Sequence, residues 1–84
     1  MVKILYFAWL RTKVGVGEES VSPPDGVKTV GDLVIWLASR SEGHRATFAE
    51  LDIIRVAVNQ DHVRFDHPLH SGDEIAFFPP VTGG

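Results

Sequence analysis

Thr29-Val30-Gly31-Asp32-Leu33-Val34-Ile35-Trp36-Leu37-Ala38-Ser39-Arg40-Ser41 is where the apolar period of the chain changes to that of a helix, and this decides the fold. Val30, Leu33, Val34, Leu37 and Ala38 recur at i, i+3, i+4, i+7 and i+8, which puts them on one buried stripe. Thr29 suits the N-cap, and Asp32 lies near the positive end of the helix dipole. Gly43, reached through Ser41 and Glu42, is the expected stop. The spacing therefore predicts one main helix over 29–41, with a single apolar face that needs a sheet beneath it. Ile35 and Trp36 fall off the stripe, either widening it or sitting half exposed.

On both sides of this helix the period is two. Residues 2–10 are rich in aromatic and β-branched types and predict a first strand. Val2, Ile4, Tyr6 and Ala8 share one face, and Lys3, Leu5, Phe7 and Trp9 the other. Gly15 and Gly17 mark residues 11–18 as a loop with room for one helical turn. A short strand follows at Glu19–Ser22, closed by the turn signal Pro23-Pro24-Asp25-Gly26. After the helix, a further helical turn is expected around Phe48 and Leu51. Ile53–Val58 then predicts a strand with Ile54, Val56 and Val58 inward and Arg55, Ala57 and Asn59 outward. Asn59-Gln60-Asp61 turns the chain into a return strand, His62–Asp66, with Val63 and Phe65 inward. Pro68 and Ser71-Gly72-Asp73 mark another turn. Glu74–Phe78 is the last strand, with Ile75 and Phe77 inward and Ala76 and Phe78 outward. Pro79 and Pro80 have no N–H to give to a ladder, so the sheet must end there.

The order β-β-α-β-β-β describes an α+β fold of the β-grasp type: a mixed sheet of about five strands with one main helix packed on one face. The crossover lets the first and last strands lie parallel in the middle of the sheet. Leu5, Phe7, Ala57 and Phe78 are then left on the outer face as an apolar patch, the kind of surface that marks a partner site.

The chain has 84 residues, which suits a single domain over 1–84, with 79–84 as a flexible C-terminal tail. A domain of this size buries roughly 60–65% of its unfolded surface, enough for a core but not for a deep catalytic pocket as well. Eight basic against eleven acidic residues give a net charge of −3, which argues against a nucleic-acid partner. There is no cysteine, so a disulfide framework is excluded and a cytoplasmic location is expected. Neither a signal peptide nor a membrane-length apolar run is evident.

The strongest candidate for chemistry is Phe77-Phe78-Pro79-Pro80-Val81-Thr82-Gly83-Gly84. Four residues follow Pro80, and an extended chain of that length reaches roughly 13 Å, enough to enter another protein's active site. The prolines stiffen the root, and Gly83 and Gly84 are narrow enough to thread a channel. A carboxylate is a poor electrophile, so the Gly84 carboxyl would first need activation, most simply as an acyl-adenylate. On composition alone an inert chain end remains open, since termini are commonly disordered. His62, His67 and His70 cluster in sequence but lack zinc-site spacing, so no metal site is expected and the histidines are assigned to the surface. Glu18-Glu19 and Asp73-Glu74 are adjacent pairs whose members point to opposite faces, which suits solvated charges rather than a catalytic dyad. Gly15-x-Gly17 lacks both a third glycine and a following helix, so it does not form a phosphate cradle. No arrangement of a self-sufficient enzyme is present.

Val58-Asn59-Gln60, Phe65-Asp66-His67-Pro68-Leu69, Gly72-Asp73-Glu74 and above all Ala76-Phe77-Phe78-Pro79-Pro80-Val81-Thr82-Gly83-Gly84 closely resemble the small, sulfur-carrying subunits of molybdopterin synthase, within the ubiquitin-like β-grasp superfamily. Lys3-Ile4-Leu5-Tyr6-Phe7-Ala8 resembles that family's first strand, so the resemblance covers the whole chain. It implies that Gly84 is adenylated by an ATP-using, ubiquitin-activating-like enzyme and converted to a thiocarboxylate by a sulfur donor system. The carrier would then dock on the large synthase subunit of a heterotetramer and insert its tail. There it would deliver sulfur to cyclic pyranopterin monophosphate, two rounds making the dithiolene. The resemblance assigns Phe78, Pro79, Pro80, Val81, Thr82, Gly83 and also Phe7 to partner binding, and leaves the catalytic side chains to the large subunit. No cofactor is expected on the carrier itself, ATP being used by the activating enzyme. The chain departs from the family in Arg11–Gly17, where an acidic, alanine-rich loop is usual, and at His62, where an apolar residue is expected. Other readings are a carrier for thiazole synthesis or tRNA thiolation, a ubiquitin-like modifier, or an interaction module with an inert tail.

Overall fold

A computed structural model describes residues 1–80, in which a single five-stranded sheet wraps one face of the central helix. In chain order the elements are β1 (Val2–Tyr6), α1 (Trp9–Val14), β2 (Glu18–Val21), α2 (Val30–Ala38), α3 (Glu42–Thr47), a 3-10 turn (Leu51–Ile53), β3 (Arg55–Val58), β4 (Asp61–Val63) and β5 (Glu74–Phe78). The strand order is β2-β1-β5-β3-β4. β1 and β5 run parallel, with Ile4 beside Ile75 and Tyr6 beside Phe77. The other three pairings are antiparallel. The β-grasp order and the parallel inner pair both stand as expected.

Alternation holds where it was read as sheet. Val2, Ile4, Tyr6, Ile54, Val56, Val58, Ile75 and Phe77 are all buried, and they meet Val30, Leu33, Val34 and Leu37 from α2. α2 starts at Thr29, whose hydroxyl accepts from Asp32 N–H at 3.1 Å while the Asp32 carboxylate accepts from Thr29 N–H at 3.2 Å. This reciprocal capping box satisfies two of the donors that a helix start leaves free.

The breaks fall elsewhere than the sequence suggests. β1 ends at Tyr6 rather than running to residue 10, because Ala8 takes φ 55° and ψ −133°, which no strand accommodates. The chain then enters α1, which buries Leu10 completely, so Ala8 is exposed and Trp9 belongs to a helix. β2 lies one residue earlier than expected, at Glu18–Val21. α2 stops at Ala38, three residues short of Ser41, and Gly43 is not its stop. Ser41 instead caps a new helix, accepting from His44 N–H at 3.1 Å, and Gly43 lies inside that helix. A Cβ at Gly43 would sit 2.6 Å from the Lys13 carbonyl oxygen, so a side chain is excluded where α3 crosses the end of α1. β4 ends at Val63 because the following backbone turns to α2: the Phe65 and His67 carbonyls accept from Gly31 and Val30 N–H at 2.6 and 3.0 Å. Asn59 and Gln60 both have positive φ, 51° and 74°, and form the two-residue turn between β3 and β4.

Candidate functional site: the root of the C-terminal tail

β5 is the central strand, and its last residues carry the chain to Pro79 and Pro80 at the end of the sheet. Alternation sends Phe77 inward and Phe78 outward. Phe77 is fully buried, stacked on Tyr6 with ring centres 6.2 Å apart and meeting the Phe48 edge at 5.0 Å. Phe78 is half-buried on the outer face, opposite Arg55 in register, with its ring centre 5.1 Å from that of His62. On the other flank Phe7 N–H donates to the Phe77 carbonyl at 3.1 Å, and the Phe7 side chain is 49% exposed. Phe78 is therefore the last strand residue before the chain leaves the sheet, and Phe7 lies beside it on the β1 side. Leu5 and Ala76, paired across the same face, continue this apolar surface. Ala57 adds little to it: held between Ala76 and His62, it is buried. Of the assigned tail residues, Pro79 and Pro80 are half-buried at the root. Val81, Thr82, Gly83 and Gly84 lie outside the described residues.

Behind the root lies a polar network that the sequence reading missed. Glu19 Oε2 stands 2.7 Å from Tyr6 Oη and 2.7 Å from His44 Nε2, and His44 Nδ1 stands 2.7 Å from Ser41 Oγ. Glu19 was assigned to solvent and His44 to the surface. Both are instead largely enclosed, because Glu19 shares the inward face of β2 with buried Val21 and His44 packs edge-on to Tyr6. The signal available was that face, since Glu19 precedes Val21 by two residues, together with Ser41 as a cap three residues before His44. Burial pushes the Glu19 carboxyl upward, but the hydrogen bonds from His44 and Tyr6 outweigh it and hold the group below its ordinary value. Burial, followed by the Glu19 hydrogen bond and charge, raises the Tyr6 phenol. The network ties β1, β2 and α3 together directly behind Phe77. Its serine, imidazole and carboxylate are linked one to the next, but Ser41 Oγ is already engaged as the cap of α3, and the set works as a fastening.

Elsewhere Glu18 pairs with Lys3 at 3.5 Å on the surface, and Asp73 accepts from His70 N–H at 2.8 Å to close its turn. Among the described residues no group of three His, Cys, Asp or Glu side chains is placed to hold a metal ion. Nor is any described helix long and apolar enough to cross a membrane.

A five-stranded mixed sheet grasping one helix, with a Phe-Pro-Pro exit from the central strand, defines a ubiquitin-like β-grasp domain. The sequence profile of the ThiS family matches residues 4–84, and the chain belongs to that family. It is 43% identical over 84 residues to the molybdopterin synthase sulfur carrier subunit of Escherichia coli strain K12, covering 100% of both chains. It is 38% identical over 85 residues to the protein of the same name from Chlamydomonas reinhardtii, covering 99% of this chain and 98% of the other. Among solved structures it is similar to SAMP1 from Haloferax volcanii, with a TM-score of 0.79, 32% identity and coverage of 99% of this chain and 98% of that one.

Proposed function

We propose that this protein is the sulfur carrier subunit of a molybdopterin synthase, with Gly84 as the carrying residue. The observation that supports this most is the placement of Phe78-Pro79-Pro80: the chain leaves the end of the central strand at half-buried Phe78 with exposed Phe7 alongside, in a chain that matches sulfur carrier subunits from end to end. An ATP-using activating enzyme adenylates the Gly84 carboxylate, with release of pyrophosphate. A sulfur donor then displaces AMP and leaves a thiocarboxylate, a stronger nucleophile than the carboxylate it replaces. The large subunit binds the surface around Phe78 and Phe7 and receives Val81-Thr82-Gly83-Gly84 in its active site, where the sulfur passes to cyclic pyranopterin monophosphate. Two such rounds supply both sulfurs of the dithiolene. With no cysteine in the chain, no internal thiol competes for the activated acyl group.

Intact-mass measurement with fragmentation tests this directly. After incubation with the activating enzyme, ATP and a sulfur donor, one oxygen at Gly84 is exchanged for sulfur. A tail that stays unmodified under turnover conditions refutes the carrier reading, and lysine conjugates formed without any thiocarboxylate would point to a protein modifier.

A further inference from the structure

The charges on the outer face of the sheet differ from one edge to the other. Toward β2 they are matched: Lys3 stands 3.5 Å from Glu18 and lies beside Glu74 in register. Toward β3 and β4 they are not. Arg55 and Arg64 line a cleft of about 510 Å³ with Ile54, Val56, Val63 and Phe65, where the chain after β4 turns away to α2. Neither arginine is paired with a carboxylate among the described residues. Asp52, Asp61 and Asp66, the carboxylates nearest in sequence, line no part of the cleft. Two exposed guanidinium groups thus share one recess in a chain whose net charge is −3.

Arg55 joins this recess to the face that carries Phe78. The two residues are opposite each other in register, and residues so paired project to the same side of a sheet. Arg55 Nη1 donates to the Asp52 and Ile54 carbonyls at 3.1 and 3.3 Å, which fixes the guanidinium and leaves Nε and Nη2 able to serve another acceptor. His62, paired across the strands with Ala57, has its ring centre 5.1 Å from that of Phe78. The aromatic residue and the basic edge are therefore contiguous.

We propose that Arg55 and Arg64 form a basic rim to the docking face and receive carboxylate side chains of the large subunit. The carrier then selects a partner whose surface is acidic opposite the β3–β4 edge. This rests on the reading of the large subunit as the protein that covers Phe78. Arginine suits that occupant, since its planar guanidinium meets a carboxylate through two parallel hydrogen bonds. A partner with a basic surface at this place is rejected, because like charges would be brought together and two guanidinium groups covered without acceptors. Burial divides the labour. Half-buried Phe78 holds the complex once it has formed, whereas exposed rim charges act mainly on the rate of encounter and its dependence on salt.

Stopped-flow association of the full-length carrier with the large subunit tests this. The wild-type rate should fall as salt rises from about 0.01 M to about 1 M, over which the screening length shortens from about 30 to about 3 Å. At low salt Arg64→Glu should slow association about threefold or more, and Arg55→Glu with Arg64→Glu about tenfold or more. The variants and the wild type should converge at high salt. Lys28→Glu makes the same charge change just before α2, the helix on the opposite face of the sheet, and should slow association much less than Arg64→Glu. Arg64→Glu carries the test by itself if Arg55→Glu unsettles the 3-10 turn to which the Arg55 guanidinium is bonded. A wild-type rate that ignores salt overturns the proposal, as does equal slowing by Arg64→Glu and Lys28→Glu. If the wild type does not associate at all, the partner reading fails and the proposal with it; association without these effects overturns the proposal alone. Thiocarboxylate formation at Gly84 is read separately by mass.

Discussion

Glu19 Oε2 lies 2.7 Å from both Tyr6 Oη and His44 Nε2, in a site where each partner is itself mostly enclosed. Glu19→Ala should cost about 1–3 kcal/mol in urea unfolding, since it leaves two enclosed donors unmatched. The sign of its pH dependence follows from the lowered carboxyl. The stabilisation is fully present above the ordinary value of 4.5 and is lost as pH falls through the lower folded value. Stability should therefore fall on acidification below about pH 4.5, and the same titration of Glu19→Gln should show a shallower slope. At Gly43 the limit is steric, with the Lys13 carbonyl 2.6 Å from where a Cβ would stand. Gly43→Ala should lower the denaturant midpoint by an amount equivalent to about 1–3 kcal/mol, the scale of overpacking. Phe78→Asp makes the converse case. Its ring is only half-buried, so docking on the large subunit, measured by calorimetry, should weaken more than tenfold, about 1.4 kcal/mol or more, while the fold survives. Phe78 was legible because alternation in β5 is unbroken. Glu19 was not, because the pair Glu18-Glu19 has the appearance of two solvated charges until Tyr6 and His44 are seen to converge on the second.

Among the elements, α2 was the most legible, since its stripe, its cap and its first-turn acid all agree. Thr29→Ala removes the hydroxyl that accepts from Asp32 N–H and should cost about 0.5–2 kcal/mol, read as a lowered thermal midpoint. The end of α2 was less legible, because Ser39, Ser41 and Gly43 all serve as helix punctuation. Ser39 bonds back to the Trp36 carbonyl at 2.6 Å, and Ser41 caps α3, so the expected helix ends early and a second one follows it. β1 shows the same limit. Its apolar run continues through Trp9 and Leu10, and only the turn at Ala8 divides strand from helix, sending Leu10 into the core from α1. A run of apolar residues specifies burial but not the element that delivers it.

For the whole molecule, the division between a folded body and a working tail can be tested by deletion. Removing Gly84 should abolish sulfur transfer to the pterin while the shortened protein keeps its melting temperature and still binds the large subunit. Turnover by the shortened chain would place the chemistry elsewhere. Local pattern was enough to determine the strand alternation, the helix stripe and the sheet end at Pro79-Pro80, because each is written in neighbouring residues at a fixed period or in the missing N–H of proline. Tertiary structure alone decided that Glu19, Tyr6, His44 and Ser41 meet and that Gly43 must be bare. Glu19 and His44 are 25 positions apart, and Lys13 and Gly43 still further. Such groups are brought together by the order β2-β1-β5-β3-β4 and the crossing of α3 over α1, which no local period encodes.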